Sequence, residues 1–297
     1  MVCVRNSRPR SYNRSLNKIL ATAALMLIFA ASGGAQTCPD VRTVPDRHAA
    51  ALQLAACLGN PDPKVRDTLA FEALAAALRS NLLEPRTLSQ LRHNLLAQLT
   101  TPNGSALLAS FSALTLAEVA RTDRLKPWMT DGERQELVDA AAAFLGGVTD
   151  YRAFSNELGF VHAVAHGADF ALQLALNPAI TKPQLDRLLP AIALQIAPRD
   201  PSVAYWAAEP DRLSRVVLFT AQRKLHSDAE WKAWFAAVMD PKPLTGWDVA
   251  FTSEAGIRRR HNVRAFLLSV YATAMTSDDA GVKQLVGPTR DSLKLVP

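Results

Sequence analysis

Apolar residues along this chain recur at three- and four-residue intervals rather than in alternation, and Pro, Gly, Asp and Asn punctuate the breaks. The pattern predicts an all-α fold. Helices are expected over residues 46–58, 63–79, 86–99, 104–121, 131–146, 155–176, 182–196, 210–225, 228–239 and 259–276, with a short one over 278–286. In the second, Val65, Leu69, Ala73, Leu74, Ala77 and Leu78 form one stripe, entered through Asp62-Pro63, and proline is tolerated in a first helical turn. Short helices joined by short breaks read as stacked helical pairs, the architecture of an α-solenoid. The longest irregular stretch, residues 240–257 with Trp247, is a candidate lid or cap.

The first residues change the meaning of the composition. Arg5, Arg8, Arg10, Arg14 and Lys18 form a basic segment, Ile19 to Ala31 is apolar, and Gly33-Gly34-Ala35 offers a small-residue cleavage point before Gln36. This order predicts a cleaved export signal over 1–35 and a single helical domain over 36–297, periplasmic or secreted. The apolar run is shorter than the roughly 20 residues needed to cross a bilayer, so no permanent span is expected in the mature chain. Whole, the chain has 33 Lys and Arg against 27 Asp and Glu. Residues 1–35 hold five of those bases and no acid, leaving 28 against 27. The excess of positive charge therefore belongs to the signal and gives no support for a nucleic-acid partner. Cys3 departs with it. Cys38 and Cys57, in an oxidising compartment, are expected to pair as a disulfide.

Polar residues set in apolar helices recur at a near-constant interval. Glu72, Glu118, His162 with His166, Asp211 with Arg215, and Arg258 to His261 are spaced like successive helical pairs and are expected on one face of a stack. Asp62-Pro63-Lys64-Val65-Arg66 resembles the acidic turn and Val-Arg start of the second helix in a HEAT-type repeat. Arg258-Arg259-Arg260-His261 opens an apolar helix with charges that oppose its macrodipole. Pairing with Asp248 or Glu254 is the expected compensation.

The segment His162-Ala163-Val164-Ala165-His166-Gly167-Ala168-Asp169 concentrates the candidate chemistry. On a helix over 155–176, Ser155, His162, His166, Asp169 and Gln173 share an arc of roughly 60° amid apolar neighbours. Three readings follow. Histidines at i and i+4 with Asp169 suit zinc, the third ligand coming from Asp169 or from Glu118, Asp150, Glu157 or His261 elsewhere. The zincin glutamate is missing, since Ala163 follows His162. A metal-free polar cleft could instead use a histidine as acid, base or ligand contact, with Glu72, Glu118, Gln173, Arg215 and His261 lining it. The third reading is a buried hydrogen-bond network, with Gly167 admitting a close neighbour. Ser110, Ser112 and Ser155 lie in no nucleophile elbow.

Phe111-Ser112-Ala113-Leu114, the stretch Glu157 to Asp169 with its His-x-x-x-His-Gly-Ala-Asp core, and His261-Asn262-Val263-Arg264-Ala265-Phe266-Leu267 resemble bacterial domain-of-unknown-function family 2785. This chain departs from the family pattern at Phe160-Val161, where a Gly-Trp-Ala-like approach is expected. The resemblance implies an all-helical, HEAT-like domain over about Leu58 to Ala274 and brings no established activity. The combined expectation is an exported module that binds a protein or small ligand of the cell envelope through His162, His166 and Asp169. The alternative is a metal-dependent hydrolase or other enzyme using the same residues. Intact-mass measurement of exported protein is expected to place its first residue at or near Gln36, and retention of Met1 to Ala35 would mean an anchor instead.

Overall fold

The computed structural model describes residues 38, 46–100 and 105–297, so the expected signal over 1–35 lies outside the described residues. The fold is all-α: α1 (Arg47–Cys57), a π-helical stretch (Lys64–Glu72) running into α2 (Ala73–Arg79), α3 (Pro85–Leu99), α4 (Ala106–Leu125) and α5 (Asp131–Gly146) come first. A two-stranded hairpin, β1 (Phe154–Ser155) and β2 (Gly159–Phe160), precedes α6 (Ala163–Ala175) and α7 (Lys182–Ile196). Then follow α8 (Glu209–Gln222), α9 (Asp228–Val238), a 3-10 turn (Asp248–Thr252), α10 (Glu254–Thr276), α11 (Ala280–Lys283) and α12 (Val286–Leu295).

Alternate helices pack side by side. α4 lies against α6, α6 against α8 and α8 against α10, while α3, α5, α7 and α9 form a second row. Hydrogen bonds give the inner row its polarity. Ser110 meets His166 near the starts of α4 and α6, and Asp123 meets Asn177 near their ends. Asp169 pairs with Arg212, and Arg223 donates to the Ala175 carbonyl. Tyr205 N–H donates to Asn262 ahead of the Ser214–Ser269 contact. The inner helices α4, α6, α8 and α10 are therefore parallel, with their N-termini on one edge. Between the rows, Leu116, Leu137, Phe170, Ile192, Leu213, Phe235 and Phe266 belong to one apolar core.

The helix expected over 155–176 is shorter, and the reason is local. Gly159 takes φ +68, where an added Cβ would meet Pro63 at 3.2 Å, and the chain turns back as a hairpin pairing Phe154 with Phe160. Ser155 is thus off the helix. Its hydroxyl accepts the Glu157 and Leu158 N–H groups. The short helix expected over 278–286 is α11, and a further helix that the periodicity did not predict, α12, follows from Val286 with Pro288 in its first turn, where proline is tolerated. Residues 240–257 fold onto the body: the buried Trp247 indole donates to the Met239 carbonyl, and Ala250 is fully buried in the 3-10 turn. Cys38 and Cys57 are joined. Among the described residues, no helix is long and apolar enough to cross a membrane.

One buried ion pair ties the rows together. Asp123 accepts from Arg134, the amides of Trp128 and Met129, and the Asn177 side chain. Burial alone would raise its pKa, but Arg134 and the amide donors outweigh that and hold it below the ordinary value. Asp123→Ala leaves the buried Arg134 guanidinium with exposed Asp131 alone and strands the Trp128 and Met129 amides, and should cost ~3–5 kcal/mol in urea melts. A change under about 1 kcal/mol, within the range of surface pairs, would mean that the pair is structurally idle.

Candidate functional site

The hairpin delivers the chain to α6 under tight control. Arg66, fully buried, donates to the Leu158 carbonyl at 2.7 Å and lies 4.5 Å over the Phe111 ring. The Val-Arg arginine of the π-helical stretch is thus a support for the hairpin. Val161 and His162 N–H then bond the Ala153 and Arg152 carbonyls. His162 enters the helix as its N-cap at φ 49, ψ 33, a left-handed conformation that costs an L-residue of this size ~1–2 kcal/mol.

His166 sits one turn on, buried, with Nδ1 2.9 Å from the Ser110 hydroxyl oxygen, which lies 2.5 Å from the Val161 carbonyl. The carbonyl can only accept, so the Ser110 hydroxyl donates to it and accepts the Nδ1–H of His166. The free lone pair of the ring is then on Nε2. This polarity is the reverse of a nucleophile and its base, where the imidazole accepts from the hydroxyl, and Ser110 is fully buried. Burial, then the neighbouring His162 and Arg212, pushes the His166 pKa down to about 3. Gly167 lets α5 approach here, since an added Cβ would meet Leu145 at 2.7 Å.

The His162 ring tilts against Phe160 at 4.6 Å and lies 5.8 Å from His166. Its Nε2 is buried and has no hydrogen-bond partner among the described residues. Burial lowers its pKa against the opposing pull of Glu209 and Asp169. Asp169 is paired with Arg212, yet burial leaves its pKa raised, with Arg212 and Arg215 resisting. Buried Glu209 accepts the Ala207 N–H at 2.9 Å just after Ala208, the N-cap of α8, which is also left-handed at φ 71.

Of the residues expected at the site, His162, His166 and Asp169 come together, with Arg215 near enough to act on Asp169. The others go elsewhere. Gln173 accepts from Arg124, Glu118 is held by Arg79, Asp150 by Arg152, and Glu72 is exposed on its helix. His261 Nε2 bonds the Tyr205 carbonyl, Arg258 pairs with Glu254 as expected, and Arg260 lies over Phe251. Zinc fits poorly. Asp169 is committed to Arg212, and among the described residues no three His, Cys, Asp or Glu side chains converge to hold a metal ion. Sequence reasoning missed Glu209 and Arg212, which no local pattern marks, and it marked Arg66 only as part of a HEAT-like helix start, without its bond to the hairpin. Together these groups offer hydrogen-bond acceptors and one ion pair, without an activated nucleophile.

Residues 95–272 match the model of a protein family of unknown function, DUF2785. The chain belongs to this family. No curated protein and no solved structure matches it. The DUF2785 match runs from the end of α3 into α10 and contains His162, His166 and Asp169, but Arg66 lies outside it.

The depressed pKa of His166 has a definite sign. Unfolded chain takes up a proton near pH 6.5 that the folded ring refuses, so this contribution to stability is present above about pH 6.5 and declines as pH falls toward 3. Stability should fall by up to ~1.4 kcal/mol per pH unit in that window for this one proton. His166→Gln should flatten the slope in urea melts from pH 7 to 4, and an unchanged slope would place the titration elsewhere.

Proposed function

We propose that this DUF2785 protein is an exported, HEAT-like binding module that takes a protein or small ligand of the cell envelope at the N-terminal ends of α6 and α8. His162, His166 and Asp169 are its contacts. The observation that carries the reading is His162, held in a left-handed backbone with a buried Nε2 that nothing among the described residues satisfies. Both features cost stability, and polar groups retained at a cost are characteristic of binding sites. A purely structural network explains His166, which Ser110 satisfies, but leaves His162 without a purpose. His166, with its lone pair at Nε2, and His162 beside the Asp169–Arg212 pair suit a ligand that brings donors and acceptors of its own.

Export is supported by the basic, apolar and small-residue order of residues 1–35 and by the Cys38–Cys57 bridge, which suits an oxidising compartment. Parallel alternate helices in two rows support the repeat-like reading. The metal-dependent hydrolase loses ground because Asp169 is engaged by Arg212.

His162→Gly relieves the left-handed strain and removes the orphaned nitrogen, so it should raise stability by ~1 kcal/mol. Urea melts of wild type and variant, each with chelator and with added zinc, test this. A loss of stability as large as that of His166→Ala, expected at ~1–3 kcal/mol, would make His162 structural. A zinc-dependent rise in wild type that His166→Ala abolishes would restore the metal-dependent enzyme.

A further inference from the structure

The N-terminal edge of the inner helices carries a regularity apart from the histidines. Phe160, Trp206 and Phe251 each stand two residues before an N-cap: His162 of α6, Ala208 of α8 and Ser253 of α10. They are 46 and 45 positions apart. All three are exposed, at 47%, 71% and 57%, and Phe154, at 42%, is the one other exposed Phe, Tyr or Trp among the described residues. α6, α8 and α10 are parallel neighbours, packed at roughly 8–10 Å between axes, so the three residues stand at the starts of successive members of one row of helices.

The Phe160 and Phe251 rings are packed against neighbours, and Trp206 is positioned through the backbone before it. Phe160 packs edge-on against Phe154 and beside His162. Trp206 follows Tyr205, whose N–H and carbonyl are bonded by Asn262 and His261. Phe251 is backed by the Arg260 guanidinium at 4.7 Å. Along the same edge Arg152 pairs with Asp150, Arg212 with Asp169 and Arg258 with Glu254, and Arg260, which has no ion-pair partner among the described residues, is turned onto the Phe251 ring, so the edge carries little free charge and favours an uncharged ligand. Separate flat faces with hydrogen-bonding groups between them complement sugar rings, which have a C–H face and a hydroxyl rim. An extended peptide would want an unpaired strand edge or a continuous apolar groove.

We propose that this edge binds an extended, uncharged glycan. Phe160, Trp206 and Phe251 stack on separate, non-adjacent sugar units, and the half-buried His162 with the Asp169–Arg212 pair meets hydroxyls between them. The role given to His162 and Asp169 rests on the binding reading above; the aromatic series stands independently of it.

Trp206 is the one exposed tryptophan of the five, with Trp128 and Trp234 half-buried, so the part of the acrylamide quenching that Trp206→Ala removes reports on it. The mature protein is titrated with β-1,4-linked hexamers of N-acetylglucosamine and of glucose, and with reduced carboxymethylated lactalbumin as an unfolded polypeptide. At least one hexasaccharide should protect Trp206 from quenching. In calorimetric titrations, Phe160→Ala, Trp206→Ala and His162→Ala should each weaken that binding about ten-fold, with melting temperatures confirming that the variants fold. No binding of either hexasaccharide, or binding indifferent to Phe160→Ala and Trp206→Ala, overturns the glycan assignment. Binding of lactalbumin alone, lost in His162→Ala, overturns it while sustaining the histidine site. Hexasaccharide binding that needs the aromatics but ignores His162→Ala sustains the glycan edge and overturns the role of the histidine.

Discussion

The Ser110 hydroxyl is the contact on which the candidate site depends. It stands on α4, accepts from His166 on α6 and donates to the carbonyl of Val161, the last residue before the N-cap. One oxygen thereby registers two packed helices and the chain segment that enters the second. It also sets the His166 tautomer, and so decides that the ring offers its lone pair at Nε2. Without it the buried imidazole would lack its donor's partner, a loss of ~1–3 kcal/mol, and the entry to α6 would lose an anchor.

Strain is distributed unevenly between the two rows of helices. Outer helices α5, α7 and α9 begin conventionally, with Glu133, Gln184 and Glu230 each accepting the N–H of a Thr or Ser N-cap. Inner helices α6 and α8 begin instead at left-handed, non-glycine residues, His162 and Ala208, with no side-chain cap. Both lie on the edge that carries the exposed aromatics. The other inner helices, α4 and α10, are capped in the ordinary way by Ser105 and Ser253, so the departure is confined to the two helices whose starts carry the candidate site.

Helical periodicity made most of the fold legible, because amphipathic stripes such as Leu69 to Leu78 follow directly from burial. The Cys38–Cys57 pair was legible by elimination. The helix over 155–176 was misread because Phe160 and Leu158 continue an apolar pattern that only the left-handed Gly159 and the long-range Arg66 contact interrupt. Spacing along one helix brought out His162, His166 and Asp169 but not Arg212, whose role depends on helices 43 residues apart in sequence. A near-46-residue interval was visible among polar residues. Its clearest bearers proved to be Phe160, Trp206 and Phe251, which look like ordinary core residues until their exposure is known.

Arg66 bears on where the working unit of this protein begins. The DUF2785 match starts at residue 95, yet the hairpin leading into His162 hangs from a guanidinium 29 positions upstream of that start. A fragment cut to the family limits would keep every histidine of the site and lose the tether that sets the approach to the first. The family boundary and the mechanical boundary of the site therefore differ, and the first helices serve as the foundation of an edge to which they contribute no contact residue.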